Sequence, residues 1–146
     1  MRFLGGPRSP ALTREGLGWI IEAEREHGYG LWATILRAGG AFIGRCGLIV
    51  QDVEGVTEHE IAYQLGREWW GKGYATEAAA GIRDHARSRL GFDRLVSLID
   101  PENAASKAVA LRIGMQHERD LTFEGRPTSL FSLQNRGQAP ILQGSA

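Results

Sequence analysis

The sequence predicts an α/β fold of the α+β kind: a mixed, mostly antiparallel sheet with a central strand–helix–strand crossover and flanking helices. Three observations carry this. Apolar periodicity runs in the order helix, three strands, helix, strand, helix, two strands. Hairpin signals sit at both ends, Gly39-Gly40 and Glu124-Gly125-Arg126. Between them a glycine-rich turn leads from a strand into a helix. The strand after that helix must return by a crossover, which is right-handed as a rule.

Residues 13–28 open on Thr13, an N-cap residue type, and carry Leu17, Ile20, Ile21 and Ala23 at near-helical spacing until Gly28 stops the helix. Residues 31–37 and 41–50 are strand-like and flank the Gly39-Gly40 turn. Residues 59–66 alternate Ile61, Tyr63 and Leu65, a third strand. Ala75, Ala78, Ala79, Ile82 and Ala86 then form a helical stripe that ends near Gly91. The apolar run 94–99, bounded by Asp100-Pro101, predicts a buried strand. A helix is expected over 103–113, closed by Gly114. Residues 116–123 and 127–133 form the last hairpin.

The chain has 146 residues, which suits one domain. That domain is expected over 1–133, with 134–146 a loose polar tail. Lys+Arg and Asp+Glu are 17 each, so the net charge is zero. This argues against a nucleic-acid or polybasic membrane partner, which needs excess positive charge. The sequence holds no run of about 18 apolar residues and no signal-peptide apolar region. With one cysteine, Cys46, an intrachain disulfide is impossible and a cytoplasmic location is expected. Cys46 sits in an apolar strand and is expected to pack rather than react. The four histidines show no ligand spacing, so no metal site is expected. Trp19 and Trp32 are expected in the core or in a pocket wall. Glycine is the outlier, 20 residues, about twice the usual share.

The chemistry is expected in the turn Gly66-Arg-Glu-Trp-Trp-Gly-Lys-Gly-Tyr-Ala-Thr76. Gly71 and Gly73 let backbone approach an anion, and the unpaired N–H groups of the next helix point at it. The helix dipole adds about half a positive charge there, and Lys72 and Arg67 can add more. Gly66 to Lys72 matches the first seven positions of a P-loop, but the magnesium-binding Ser/Thr is replaced by Gly73. The dinucleotide pattern fails too, because Thr76 stands where the third glycine belongs.

Four blocks now fall in order: Glu60-Ile-Ala-Tyr-Gln-Leu, Trp70-Gly-Lys-Gly-Tyr-Ala-Thr-Glu-Ala, Asp100-Pro-Glu-Asn-Ala-Ala-Ser106 and Ile113-Gly-Met115. Their order and spacing resemble the GNAT superfamily of acyl-CoA-dependent N-acetyltransferases, most closely the RimJ/RimL-type branch. The resemblance runs from Met1 to Leu133. It implies acetyl-CoA as co-substrate and a GNAT-like fold. It implies that Trp70, Gly71, Lys72, Gly73, Tyr74, Ala75 and Thr76 hold the coenzyme A pyrophosphate. It further implies that the backbone of Gln64, Leu65 and Gly66 pairs with the pantetheine arm, with Asn103 and Ser106 across a splay between strands. Asn103 is also a good helix N-cap. Two departures stand out. Glu68 replaces the family's Gln or Arg ahead of the loop, with Arg67 or Lys72 to compensate. Ala110 replaces a tyrosine general acid, leaving Ser106 as the substitute.

Amide formation needs a base for the amine proton. Glu60, expected to open the strand before the loop, is the candidate. The bland alternative is an exposed strand-end acid, and Glu58 and His59 follow. The oxyanion is expected at a backbone N–H near the splay, that of Leu65. The expected activity is acetyl transfer from acetyl-CoA to a primary amine, on a protein N-terminus or a small molecule. The alternative is a non-catalytic acyl-CoA-binding module. Against the family the chain starts late, without its usual first strand. That suggests a truncated start and an unpaired sheet edge, which makes a homodimer an expectation.

Overall fold

The computed structural model describes residues 9–134. The tail expected over 134–146 lies outside them beyond Gln134, as does the Met1–Leu4 segment of the resemblance. The element order is α1 (Pro10–His27), β1 (Leu31–Ile35), β2 (Phe42–Val53), β3 (Val56–Leu65), α2 (Tyr74–Ser88), β4 (Arg94–Ile99), α3 (Ala104–Arg112), β5 (Gln116–Phe123) and β6 (Arg126–Gln134). This is the predicted order, with a 3-10 turn at Arg67–Trp69 added. The strands form one sheet in the order β1-β2-β3-β4-β6-β5. Every neighbouring pair is antiparallel except β3–β4, which is parallel and joined through α2.

Residues alternate faces along each strand. On one face Leu48, Ile61, Leu95 and Phe131 meet Ala79 and Ala86 of α2 and Val109, Ala110 and Ile113 of α3. Small alanines at the contact let both helices lie close to the sheet. On the other face Val53, Val96 and Leu130 form a second apolar cluster with Leu98, Leu121 and Phe123. The two faces meet the site from opposite sides.

Three local expectations are corrected. Helix α1 starts earlier: Ser9 is the N-cap, its Oγ accepting from the Leu12 N–H at 3.2 Å, and Pro10 takes the first helical position. Thr13 is therefore interior. Gly28 closes α1 in the left-handed region at φ +79°. Trp19 is not core: it is 67% exposed, and α1 buries no residue. Trp32 does pack on the core, and its Nε1–H donates to Glu24 at 2.7 Å. Finally, β2 and β3 run on through polar residues to a two-residue turn, Glu54-Gly55, with both φ positive, the twist that suits a tight hairpin. Glu60 consequently sits inside β3 rather than at its start.

Candidate active site at the β3–β4 seam

Strands β3 and β4 are neighbours, yet only Glu60 and Val96 pair in register. On its other side β4 pairs with β6 along its whole length, from Arg94–Gln134 to Ile99–Ser129. The seam is therefore pinned at one point and open beyond it. Backbone parity shows what faces the opening. The Gly66 N–H donates to the Ile43 carbonyl at 2.9 Å. In an antiparallel ladder these directions alternate. Glu60, Ala62 and Gln64 therefore turn their backbone groups towards β2, while Ile61, Tyr63 and Leu65 turn theirs towards β4. Side chains satisfy part of that edge. Ser97 Oγ donates to the Ile61 carbonyl at 2.8 Å, and Trp70 Nε1–H donates to the Leu65 carbonyl at 2.9 Å. The Tyr63 N–H and C=O and the Leu65 N–H face the gap.

This parity corrects one expectation. The backbone of Gln64 and the N–H of Gly66 belong to the β2 ladder, and only Leu65 of the expected trio presents an N–H to the gap. Tyr63 joins it, a residue the sequence reading used only as a strand marker. Its place two residues before Leu65 was the available signal. The Tyr63 hydroxyl also crosses to α3 and donates to the Ser106 carbonyl at 2.8 Å. Burial, the main cause, raises its pKa above the usual tyrosine value.

Glu60 is 8% exposed, so it is not a strand-end acid. Its Oε1 accepts from Gln51 Nε2 at 3.0 Å and its Oε2 from the Leu98 N–H at 3.2 Å. The second bond satisfies a β4 donor with a side chain where the ladder has parted. Burial pushes the Glu60 carboxyl up to about 7, against the two hydrogen bonds that lower it, and the charge of Glu124 adds to the rise. A carboxyl poised there is suited to taking a proton near neutral pH.

The two runner-up bases are committed elsewhere. Glu58 is held by both Nε and Nη2 of Arg94, at 2.9–3.2 Å, and Arg94 reaches on to Glu118 at 2.8 Å. His59 points to the opposite face and stacks on Phe92, ring centroids 4.0 Å apart. Burial lowers its pKa. Across the gap, Asn103 caps α3, its Oδ1 accepting from the Ser106 N–H at 3.1 Å. Cys46 is buried at 4% exposure with its thiol pushed up to about 12, the state of a packed and unreactive group.

The loop ahead of α2 is built differently from the other helix starts. Ser9 caps α1 and Asn103 caps α3, but α2 has Gly73 at its N-cap and no side-chain cap. A helix leaves its first N–H groups without intrahelical partners, here those of Tyr74, Ala75 and Thr76. Gly71 and Gly73 take φ +75° and +84°, and a Cβ at either would meet no atom within 4 Å. Glycine is needed there for conformation, and the space around it is open. Lys72 is exposed beside these donors, and the Arg67 guanidinium lies over the Trp70 ring at 5.6 Å. The Glu68 carboxylate folds back over Gly66, where a Cβ would stand 3.0 Å from its Oε2. An uncapped helix start with two flanking cations fits a phosphate-bearing ligand.

The fold and sequence are similar to those of known acetyltransferases. The family model for the acetyltransferase (GNAT) domain matches residues 1–116. An uncharacterized Bacillus subtilis protein, YkkB, is 34% identical over 131 residues, covering 90% of this chain and 76% of YkkB. The crystal structure of an acetyltransferase from Agrobacterium tumefaciens C58 matches with a TM-score of 0.78 at 27% identity, over 91% of this chain and 77% of that one. RimL, a ribosomal L7/L12 α-N-protein acetyltransferase solved with coenzyme A, shares the fold with a TM-score of 0.72 at 18% identity, over 87% and 73% of the two chains. The chain belongs to the GNAT family of acetyltransferases.

Proposed function

We propose that the protein transfers an acetyl group from acetyl-CoA to a primary amine by direct attack in a ternary complex. The observation that carries this is the open seam beside an uncapped helix start, with a buried carboxylate of raised pKa at the point where the strands part.

In this reading the pyrophosphate sits on the N–H groups of Gly71 to Thr76, aided by Lys72 and Arg67, with Trp70 beside them. The pantetheine amides extend along the Tyr63 and Leu65 edge of β3, and Asn103 and Ser106 line the far side. That geometry holds thioester and amine together, which supplies much of the rate. Glu60 takes a proton from the amine, nitrogen attacks the thioester carbon, and the Leu65 N–H receives the oxyanion. The carbon–sulfur bond then breaks, and the second proton of the amine nitrogen passes to the thiolate through the Ser106 hydroxyl, which gives up one proton and regains the other. The fold shared with RimL supports the RimJ/RimL-type branch and a protein N-terminus as one acceptor class beside small amines. The protein is assigned to the cytoplasm on its single, buried thiol. A homodimer through the outer edge of β1 is part of the reading, since Ile35 at the end of that strand and its register partner Phe42 on β2 are 52% and 66% exposed. Sedimentation velocity should show the dimer.

The functional test is thiol release from acetyl-CoA across a panel of amines and N-terminal peptides. Amine-dependent release is expected. Acetyl-CoA should raise the melting temperature of the wild type, and Gly73→Glu should abolish that rise by adding left-handed strain and negative charge at the helix start. Tight binding without turnover, unchanged by Glu60→Gln, would instead establish an acyl-CoA-binding module.

A further inference from the structure

We propose that Gln51 is a positioning residue of the transfer reaction, its side-chain amide holding one carboxylate oxygen of Glu60 so that the carboxylate stands in the β3–β4 gap. The inference rests on Glu60 being the base.

Gln51 lies on β2 in register with Glu58, and its neighbour on the same face, Ile49, is in register with Glu60. Gln51 therefore reaches Glu60 along the diagonal of one sheet face, a contact open to a long side chain. The bond is 3.0 Å, Nε2 to Oε1. The other carboxylate oxygen is held by the Leu98 N–H at 3.2 Å. Two donors on opposite sides, one from β2 and one from β4, fix the plane of the group across the seam. A carboxylate has about four acceptor positions. Two are used here, and the rest remain for the proton of an incoming amine.

Both of these donors are neutral. The charged groups around Glu60 do not replace them. Glu58 on β3 is paired with Arg94 of β4, which is shared with Glu118 of β5. Glu124 in the β5–β6 turn repels a negative Glu60. Tyr63 on β3 and Cys46 on β2 are neutral groups with raised pKa. The charged form of Glu60 therefore depends on an amide and a backbone N–H, and Gln51 is the one that a substitution can remove.

The test compares pH profiles of kcat/KM for the wild type, Gln51→Met and Glu60→Gln. In Gln51→Met the acid limb should move up by about one pH unit, a roughly tenfold loss below the limb, with near wild-type rates at high pH and an unchanged KM for acetyl-CoA. An equal loss at every pH, or no loss, overturns the inference. Should Glu60→Gln keep the wild-type limb, the assignment of the base itself fails. A full loss in Glu60→Gln with no shift in Gln51→Met refutes the role of Gln51 alone. If Gln51→Met does not fold, the wild type decides by NMR. The Gln51 side-chain amide signals should titrate with the midpoint of the kinetic limb, and signals flat across that range overturn the inference.

Discussion

The two ends of the β3–β4 seam are built on opposite principles. At the closed end Arg94 grips Glu58 with two nitrogens and Glu118 with two more contacts, tying β3, β4 and β5 together. At the open end, past Glu60, the ladder is replaced by side-chain bonds from Glu60 and Ser97. Both ends hold a buried glutamate of β3, two residues apart on one face. Glu58 has an arginine, whose Nε and Nη2 hold its carboxylate in place. Among the described residues Glu60 has only neutral donors, Gln51 and the Leu98 N–H, and burial pushes its carboxyl up to about 7. The partner, more than the residue type or the burial, separates a structural acid from a chemical one.

The largest effect expected from breaking this contrast is on activity. Glu60→Gln keeps the shape and removes the base, so kcat/KM at pH 7 should fall by about 10²–10⁴ while acetyl-CoA still binds. The same substitution reads the pH linkage of stability. The folded-state pKa of Glu60 is raised, so the folded protein binds the proton more tightly than the unfolded chain. This group therefore weakens the fold as pH rises from about 4.5 to about 7. Denaturant melts should show that loss in the wild type and its absence in Glu60→Gln.

Arg94→Met attacks the closed end. It strands Glu58, which is buried at 6% exposure, without its cation. Discounted because the Arg94 side chain is 32% exposed, the loss should be about 2–3 kcal/mol in urea unfolding. The smallest effect is expected across the gap. Asn103→Ala removes the cap of α3 and should lower stability by about 1 kcal/mol, measurable in the same unfolding curves.

Much of this architecture was legible in the sequence where the signal is local. The boundaries of β4 and β5, the order of elements and the cap at Asn103 follow from periodicity and punctuation. The glycine loop was legible because positive φ selects glycine at Gly71 and Gly73. The polar arms of the β2–β3 hairpin were not, since Asp52, Glu54 and Glu58 hide the alternation that marks a strand. For Trp19 the core alternative fails and the pocket-wall alternative stands, since it lines a cleft between α1 and β2, and helical spacing alone does not separate the two. The interior of the site was the least legible. Gln51 meets Glu60 on one face of the β2–β3 ladder, Glu60 meets Leu98 across the gap between β3 and β4, and no period in either of those two strands reports that the other has left. Which of Tyr63, Gln64 and Leu65 faces the gap depends on ladder parity, which a single strand does not encode.

The most direct test of the central claim is an acetyl-CoA titration followed by backbone amide NMR. The account predicts that the amides of Tyr63, Leu65 and Gly71 to Thr76 shift on binding, while those of Glu58 and Arg94 at the closed end stay still. Shifts concentrated at the closed end, with Tyr63 and Leu65 unmoved, would contradict it.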